Sequence, residues 1–181
     1  HMDIKQLYTS AVIPEMQKKF GYTNKLAVPR ITKVVVNVGL GQAMKDDKFR
    51  EVVEKALMAI TGQKPITTKA KHSIAGFGLR EGLIIGEKIT LRGRKMLDFV
   101  SKVIRVALPR VRDFQGLNSS SLDKKGNLTV GFKEWNVFPE IDPQQIPVMH
   151  GLEITFVTTA KSDEEAMALY QLLKFPFKKK I

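Results

Sequence analysis

The stretch Thr32-Lys33-Val34-Val35-Val36-Asn37-Val38-Gly39 decides the fold. Successive side chains of an extended chain point to opposite faces, so Val34, Val36 and Val38 share one face, while Lys33, Val35 and Asn37 share the other. A strand of this kind belongs to a sheet that is covered on one side only. The same alternation recurs further along the chain. From Glu87 to Arg92, Ile89 and Leu91 oppose Lys88, Thr90 and Arg92. From Asn127 to Lys133, Leu128, Val130 and Phe132 oppose Thr129, Gly131 and Lys133. From Leu152 to Thr159, Leu152, Ile154 and Phe156 oppose Glu153, Thr155 and Val157. Lys64 to Lys69 is a shorter fifth candidate.

Between these strands the apolar period changes to that of a helix. Ile4, Leu7, Tyr8, Ala11 and Val12 share a helical stripe, which Pro14 is expected to break or kink before Met16 and Phe20. A second stripe, Phe49, Val52, Val53, Ala56, Leu57 and Ile60, is opened by Asp46-Asp47 and closed by Gly62. A third, Met96, Phe99, Val100, Val103, Ile104 and Ala107, stops at Pro109. The fourth starts at a capping box, Ser162 with Glu165 three residues on, and runs through Ala166, Leu169, Tyr170 and Leu173 toward Pro176. Five strands and four helices predict an α+β protein: a mostly antiparallel five-stranded sheet with helices packed on one face and the other face open and polar. No linker, repeat or low-complexity segment interrupts the pattern, so residues 1–181 read as a single domain.

Charge narrows the function. Among 181 residues, 30 Lys and Arg stand against 18 Asp and Glu, a net +12. Twelve cations between Thr61 and Arg112 face only Glu81, Glu87 and Asp98, so +9 of that excess lies in one segment, which suits a focused phosphate-binding field. The Lys178-Lys179-Lys180 run reads as a solvated tail. With no cysteine, disulfides, thiol catalysis and cysteine-based metal sites are excluded. Of the histidines at 1, 72 and 150, the first belongs to a His1-Met2 pair that reads as a cloning remnant, leaving two isolated imidazoles and no expected metal or cofactor. No stretch reaches the ~18 apolar residues of a membrane span, and the opening is not a signal peptide; the expectation is a soluble intracellular protein with no membrane partner.

Two segments carry candidate chemistry. The uncovered sheet face offers Lys88, Thr90 and Arg92 on one strand and Asn37 on another, short hydrogen-bonding groups beside cations, suited to the wide minor groove and phosphates of RNA. The second is His72-Ser73-Ile74-Ala75-Gly76-Phe77-Gly78-Leu79-Arg80-Glu81-Gly82, flanked by Lys69 and Lys71 before it and Gly86 after it. Its three glycines, 76, 78 and 82, together with Gly86 predict a protruding, mobile loop over residues 70–86 without regular structure, with Phe77 free to stack and Arg80 to clasp phosphate. The competing reading folds Phe77 back into the core. Catalytic arrangements are absent: Gly39-Leu40-Gly41 has Met at 44 where a dinucleotide fold needs glycine, and Asp46-Asp47 and Glu164-Glu165 are explained as helix starts.

The stretches VPRITKVVVNVGLG, ITGQKP, TKAKHSIAGFGLREG, KITLRG, ALPRVRDFQGL, FPEID and VTTAKSDEEA, in this order, resemble the bacterial large-subunit ribosomal protein five family from about Lys5 to Lys179. The resemblance implies a non-enzymatic constituent of the large ribosomal subunit that attaches 5S rRNA in the central protuberance. It implies 5S contacts at Asn37, Gln63, Thr90 and Arg92; Lys64 and Lys88 join that set on charge. It implies a loop, with Lys71, Ser73, Gly76, Phe77 and Arg80, that reaches P-site tRNA. It also implies that Val137, Phe138, Pro139, Glu140 and Asp142 face small-subunit ribosomal protein thirteen in an intersubunit bridge. Large-subunit rRNA is a further expected partner, the place of work is the cytoplasmic ribosome, and off the ribosome a monomer is expected. Gly78 and Gln115 depart from the family pattern, where longer or basic residues are common.

Overall fold

The computed structural model describes residues 3–41 and 46–178. His1-Met2, Met44 and the tail residues Lys179 and Lys180 lie outside the described residues.

The chain begins with α1 (Ile4–Leu7), a wide π-type turn over Tyr8–Val12, and α2 (Ile13–Phe20). Of the break or kink expected at Pro14, no break occurs: the helical path is continuous through it. The wide turn directly before Pro14 stands where the ring and the missing N–H would conflict with an α-helical ladder. Gly21 ends α2 with φ +73°, a conformation open to glycine. Then come β1 (Ile31–Gly39), α3 (Asp47–Thr61), β2 (Ile66–Lys69), β3 (Ile84–Leu91) and α4 (Gly93–Lys102). A second π turn, Val103–Ala107, and a 3-10 turn, Leu108–Arg110, carry the helical path through Pro109, where the stripe was expected to stop. β4 (Leu128–Phe132), β5 (Leu152–Thr158) and α5 (Asp163–Leu172) complete the chain. Helix ends follow the sequence signals: Asp46 accepts from the Lys48 and Phe49 N–H groups, Gly62 closes α3 at φ +68°, and Ser162 accepts from Glu165 N–H.

The five strands form one open antiparallel sheet in the order β2-β3-β1-β5-β4. Burial follows the alternation. Val34, Val36, Val38, Ile89, Leu91, Leu128, Val130, Phe132, Leu152, Ile154 and Phe156 are buried, and the residues between them on the polar face are half-buried or exposed. The chain divides into two compact units, and the division falls within β1, β3, β4 and β5. The first comprises residues 1–34, 91–130 and 154–181. In it, Met16, Met96, Phe99, Val100, Val103, Leu169 and Tyr170 are buried, and the Tyr170 hydroxyl donates to the carbonyls of Gly126 and Phe156, each at 3.1 Å. The second comprises 35–90 and 131–153. There the α3 stripe Val53, Ala56, Leu57 and Ile60 is buried along with Trp135, whose indole N–H donates to the Val148 carbonyl at 3.0 Å.

The expectation of an unstructured loop is corrected. β3 already begins at Ile84, Ala75–Phe77 form a 3-10 turn, and Ile74 and Leu79 exchange two backbone hydrogen bonds at 2.9 and 3.1 Å. Further in, Ala70 N–H donates to the Leu83 carbonyl and Gly82 N–H to the Ala70 carbonyl, so the segment is a tightened extension of the antiparallel β2–β3 hairpin. Glycine permits the tight structure here, because Gly78 at φ +62° and Gly82 at φ +84° make the reversals.

Candidate nucleic-acid interface

The candidate face is built on β3 and its neighbours within the second unit. Lys88 and Thr90 point away from buried Ile89 and Leu91, and Asn37 on the adjacent strand is exposed between buried Val36 and Val38. At the other side of β3, Ile66 pairs with Lys88 and Thr68 with Gly86. Gly86 is the tight point. A Cβ there would stand 2.6 Å from the Val38 carbonyl oxygen and 3.0 Å from the Thr68 hydroxyl.

Gln63, in the turn after α3, sends its side-chain N–H to the Thr90 carbonyl at 3.1 Å, so two residues 27 apart in sequence become neighbours. Lys64 beside it pairs with Glu54 at 3.2 Å while its side chain stays largely exposed. Thus Gln63 meets Thr90, while Asn37 and Lys88 lie on adjacent strands of the same face. Arg92 is exposed and extended, immediately after β3 as the residue before α4, and falls in the first unit. Sequence reading did not nominate Ile66, 59% exposed on the same face as Lys88. Nor did it nominate Lys33, which shares the strand face of Asn37. The period of β1 contains the signal for Lys33; Ile66 requires the hairpin register.

The covered side holds a buried acid. Glu87 is only 3% exposed, among the buried residues of β3, and one of its carboxylate oxygens has no hydrogen-bond partner. Burial pushes its carboxyl above the ordinary carboxylate range, the nearby Glu54 carboxylate raises it further, and the Arg50 guanidinium opposes both. Arg50 itself pairs with Asp47 one turn earlier, and its buried Nε is unpartnered. Glu165 is engaged structurally, as the helix-start reading expects: it accepts from the Tyr22 hydroxyl and, at 2.8 Å, from Lys161 N–H. Burial and that contact raise the Tyr22 hydroxyl's pKa.

In the hairpin tip, Lys71, Ser73, Gly76, Phe77 and Arg80 are not buried in the core, and Phe77 is 78% exposed, which sets aside the folded-back alternative. The Ser73 hydroxyl accepts from Glu81 N–H at 2.9 Å. In the bridge stretch the structure separates the five nominated residues. Val137 and Phe138 are buried in the core, and Phe138 packs 5.8 Å from the Phe132 ring, so their side chains are not at the surface. Only Pro139, Glu140 and half-buried Asp142 reach it, and Asp142 caps the following turn by accepting from Gln144 N–H at 2.9 Å. The sequence around FPEID conceals this because a 3-10 turn, Trp135–Val137, directs Val137 inward.

A sheet with one apolar and one polar, cation-bearing face defines the class, a basic α+β protein whose open face suits a polyanion. Comparison with known proteins is specific. Residues 24–80 match the family described as Ribosomal protein L5, and residues 84–177 match the model described as the C-terminus of that ribosomal family. Curated relatives named large ribosomal subunit protein uL5 include that of Carboxydothermus hydrogenoformans, 52% identical over 96% of this chain and 97% of the relative. That of Desulforamulus reducens is 52% identical over 97% of each, and that of Kosmotoga olearia 48% identical over 99% of this chain and 98% of the relative. The chain belongs to the ribosomal protein L5 family, a family of structural ribosomal proteins and not of enzymes.

Proposed function

We propose that the protein anchors 5S rRNA in the central protuberance through the polar face of its sheet, acting as one RNA-binding domain. As a family member it is a structural constituent of the large ribosomal subunit, at work on the cytoplasmic ribosome. The observation that carries the reading is the face itself: Asn37, Lys88 and Thr90 turned outward from a buried sheet, with Gln63 bound to the Thr90 carbonyl. Short polar groups fit base edges and 2′-hydroxyls, and Lys64, Lys88 and Arg92 neutralise phosphates. The exposed hairpin tip, led by Phe77 and Arg80, reaches P-site tRNA by stacking and phosphate contact. Pro139, Glu140 and Asp142 meet small-subunit ribosomal protein thirteen, with Val137 and Phe138 holding that turn in place.

The test is 5S rRNA binding by the full chain over a range of salt concentrations, for the wild type, Asn37→Ala and Arg92→Ala. Both variants should lose affinity, and Arg92→Ala should also flatten the log–log salt slope by about 0.7–0.9, the share of one phosphate contact. Unchanged affinity in both overturns the sheet-face reading. Displacement of 5S rRNA by duplex DNA of equal charge would show a nonspecific basic module.

A further inference from the structure

The sheet ends at β4 on one side, where Leu122 outside the strand bridges to Leu128, and at β2 on the other. The β2 edge is uncovered. Ile66, Thr67 and Lys69 are exposed and Thr68 is half-buried, and among the described residues no backbone hydrogen bond joins Ile66–Lys69 to any segment but β3. Alternate N–H and C=O groups of β2 therefore point outward, away from β3. The edge also carries apolar surface. Of the seven large apolar side chains exposed among the described residues, Ile66, Ile74, Phe77 and Ile85 belong to this one hairpin and its tip, and Ile66 stands on the edge strand itself. From Lys64 to Lys71 the chain has three lysines and no acid, and Lys69 and Lys71 are exposed with no acid paired to them among the described residues.

We infer that the outer edge of β2 is a docking site for an extended, acidic segment of another protein, which adds to the sheet as a sixth strand. Its backbone lies on the β2 ladder, an apolar side chain rests against Ile66, and carboxylates stand beside Lys69 and Lys71. The inference is independent of the RNA reading, because the added strand runs beside β2 in the plane of the sheet and leaves the open face of β1 and β3 free. Charge selects the occupant. A second copy of this chain is disfavoured: two β2 strands paired antiparallel over their whole length would set Lys64 opposite Lys71 and Ile66 opposite Lys69, and a parallel pair would set Lys69 beside Lys69. An acidic strand turns the same lysines into attractive partners. A nucleic acid would use the lysines alone, leaving the outward backbone groups without a matching ladder and Ile66 without an apolar neighbour.

The experiment titrates the full chain with a fluorescent peptide of about eight residues, the length of a long strand, in which valine and glutamate alternate. Hydrogen exchange read on the complex should show every second amide of Ile66–Lys69 slowed at least about tenfold against the free chain. The same peptide N-methylated at two adjacent central residues keeps its charge but has no continuous ladder on either edge, and should bind at least about tenfold more weakly. Ile66→Ser should weaken binding about fivefold. Lys69→Glu should bind a valine–lysine peptide more tightly than the wild type does, a gain that misfolding cannot produce. Equal binding of the plain and N-methylated peptides overturns the proposal, because the contact is then charge alone, and so does failure of the wild type to bind the valine–glutamate peptide. Protection of the β2 amides without peptide, together with a dimer in sedimentation, overturns it in favour of a second copy. Protection of those amides by 5S rRNA and not by the peptide overturns it in favour of an RNA contact.

Discussion

Glu87→Gln isolates the buried carboxylate beneath the candidate face. The folded chain holds Glu87 at 3% exposure with one oxygen unpartnered, and its pKa lies above the ordinary value of 4.5. The groups that face it are Glu54 and Arg50 of α3, themselves paired with Lys64 and Asp47. At pH below the unfolded-state value both states keep the proton and Glu87 contributes no pH dependence. As pH rises past it, the unfolded chain releases the proton while the folded chain retains it, so stability falls. The fall continues until the folded carboxyl ionises, with a slope of at most about 1.4 kcal/mol per pH unit for one proton. Glutamine keeps the shape and removes the titration. Urea unfolding from pH 4 to 8 should therefore give a difference, variant minus wild type, that grows as pH rises above about 4.5 and then levels off in favour of the variant. The scale is that of a buried acceptor without a donor, about 1–3 kcal/mol. Because Glu87 lies on the covered side of β3, 5S affinity at saturating stability should not change. A difference that is flat across this pH range, or that favours the wild type at pH 7, refutes the reasoning.

Gly86→Ala should lower stability by about 1–3 kcal/mol in the same urea assay, because its Cβ has to displace the Val38 carbonyl, a backbone atom of the neighbouring strand. The double variant Phe77→Ala, Arg80→Ala should unfold within about 0.5 kcal/mol of the wild type, since both side chains lie at the surface of the tip. The same variant should keep its 5S affinity while weakening P-site tRNA binding by reconstituted ribosomes; loss of 5S affinity would show that the tip belongs to the rRNA site.

Local rules were enough for the elements and their faces. Strand alternation over Thr32–Gly39 and Glu87–Arg92 identifies the inner valines and the outer Asn37, Lys88 and Thr90 because side-chain direction in a strand depends only on position. Asp46, Gly62 and Ser162 mark helix ends because capping is a contact between near neighbours. Even Lys33, which was not nominated, is legible from the same period.

What the sequence by itself determined, then, is where the strands and helices lie, which face of each is apolar, how the charge is distributed and, through its motifs, the family. The tertiary structure alone decided the order β2-β3-β1-β5-β4, the Gln63–Thr90 contact, the burial of Val137 and Phe138, and the closed hairpin tip. It also decided that Glu87, polar by composition and inward by period, is buried beside Arg50 and Glu54. The strand order, the Gln63–Thr90 contact and the surroundings of Glu87 depend on which distant segments pack together. Long-range pairing is chosen by the summed burial and hydrogen bonding of the whole chain, which no local window contains.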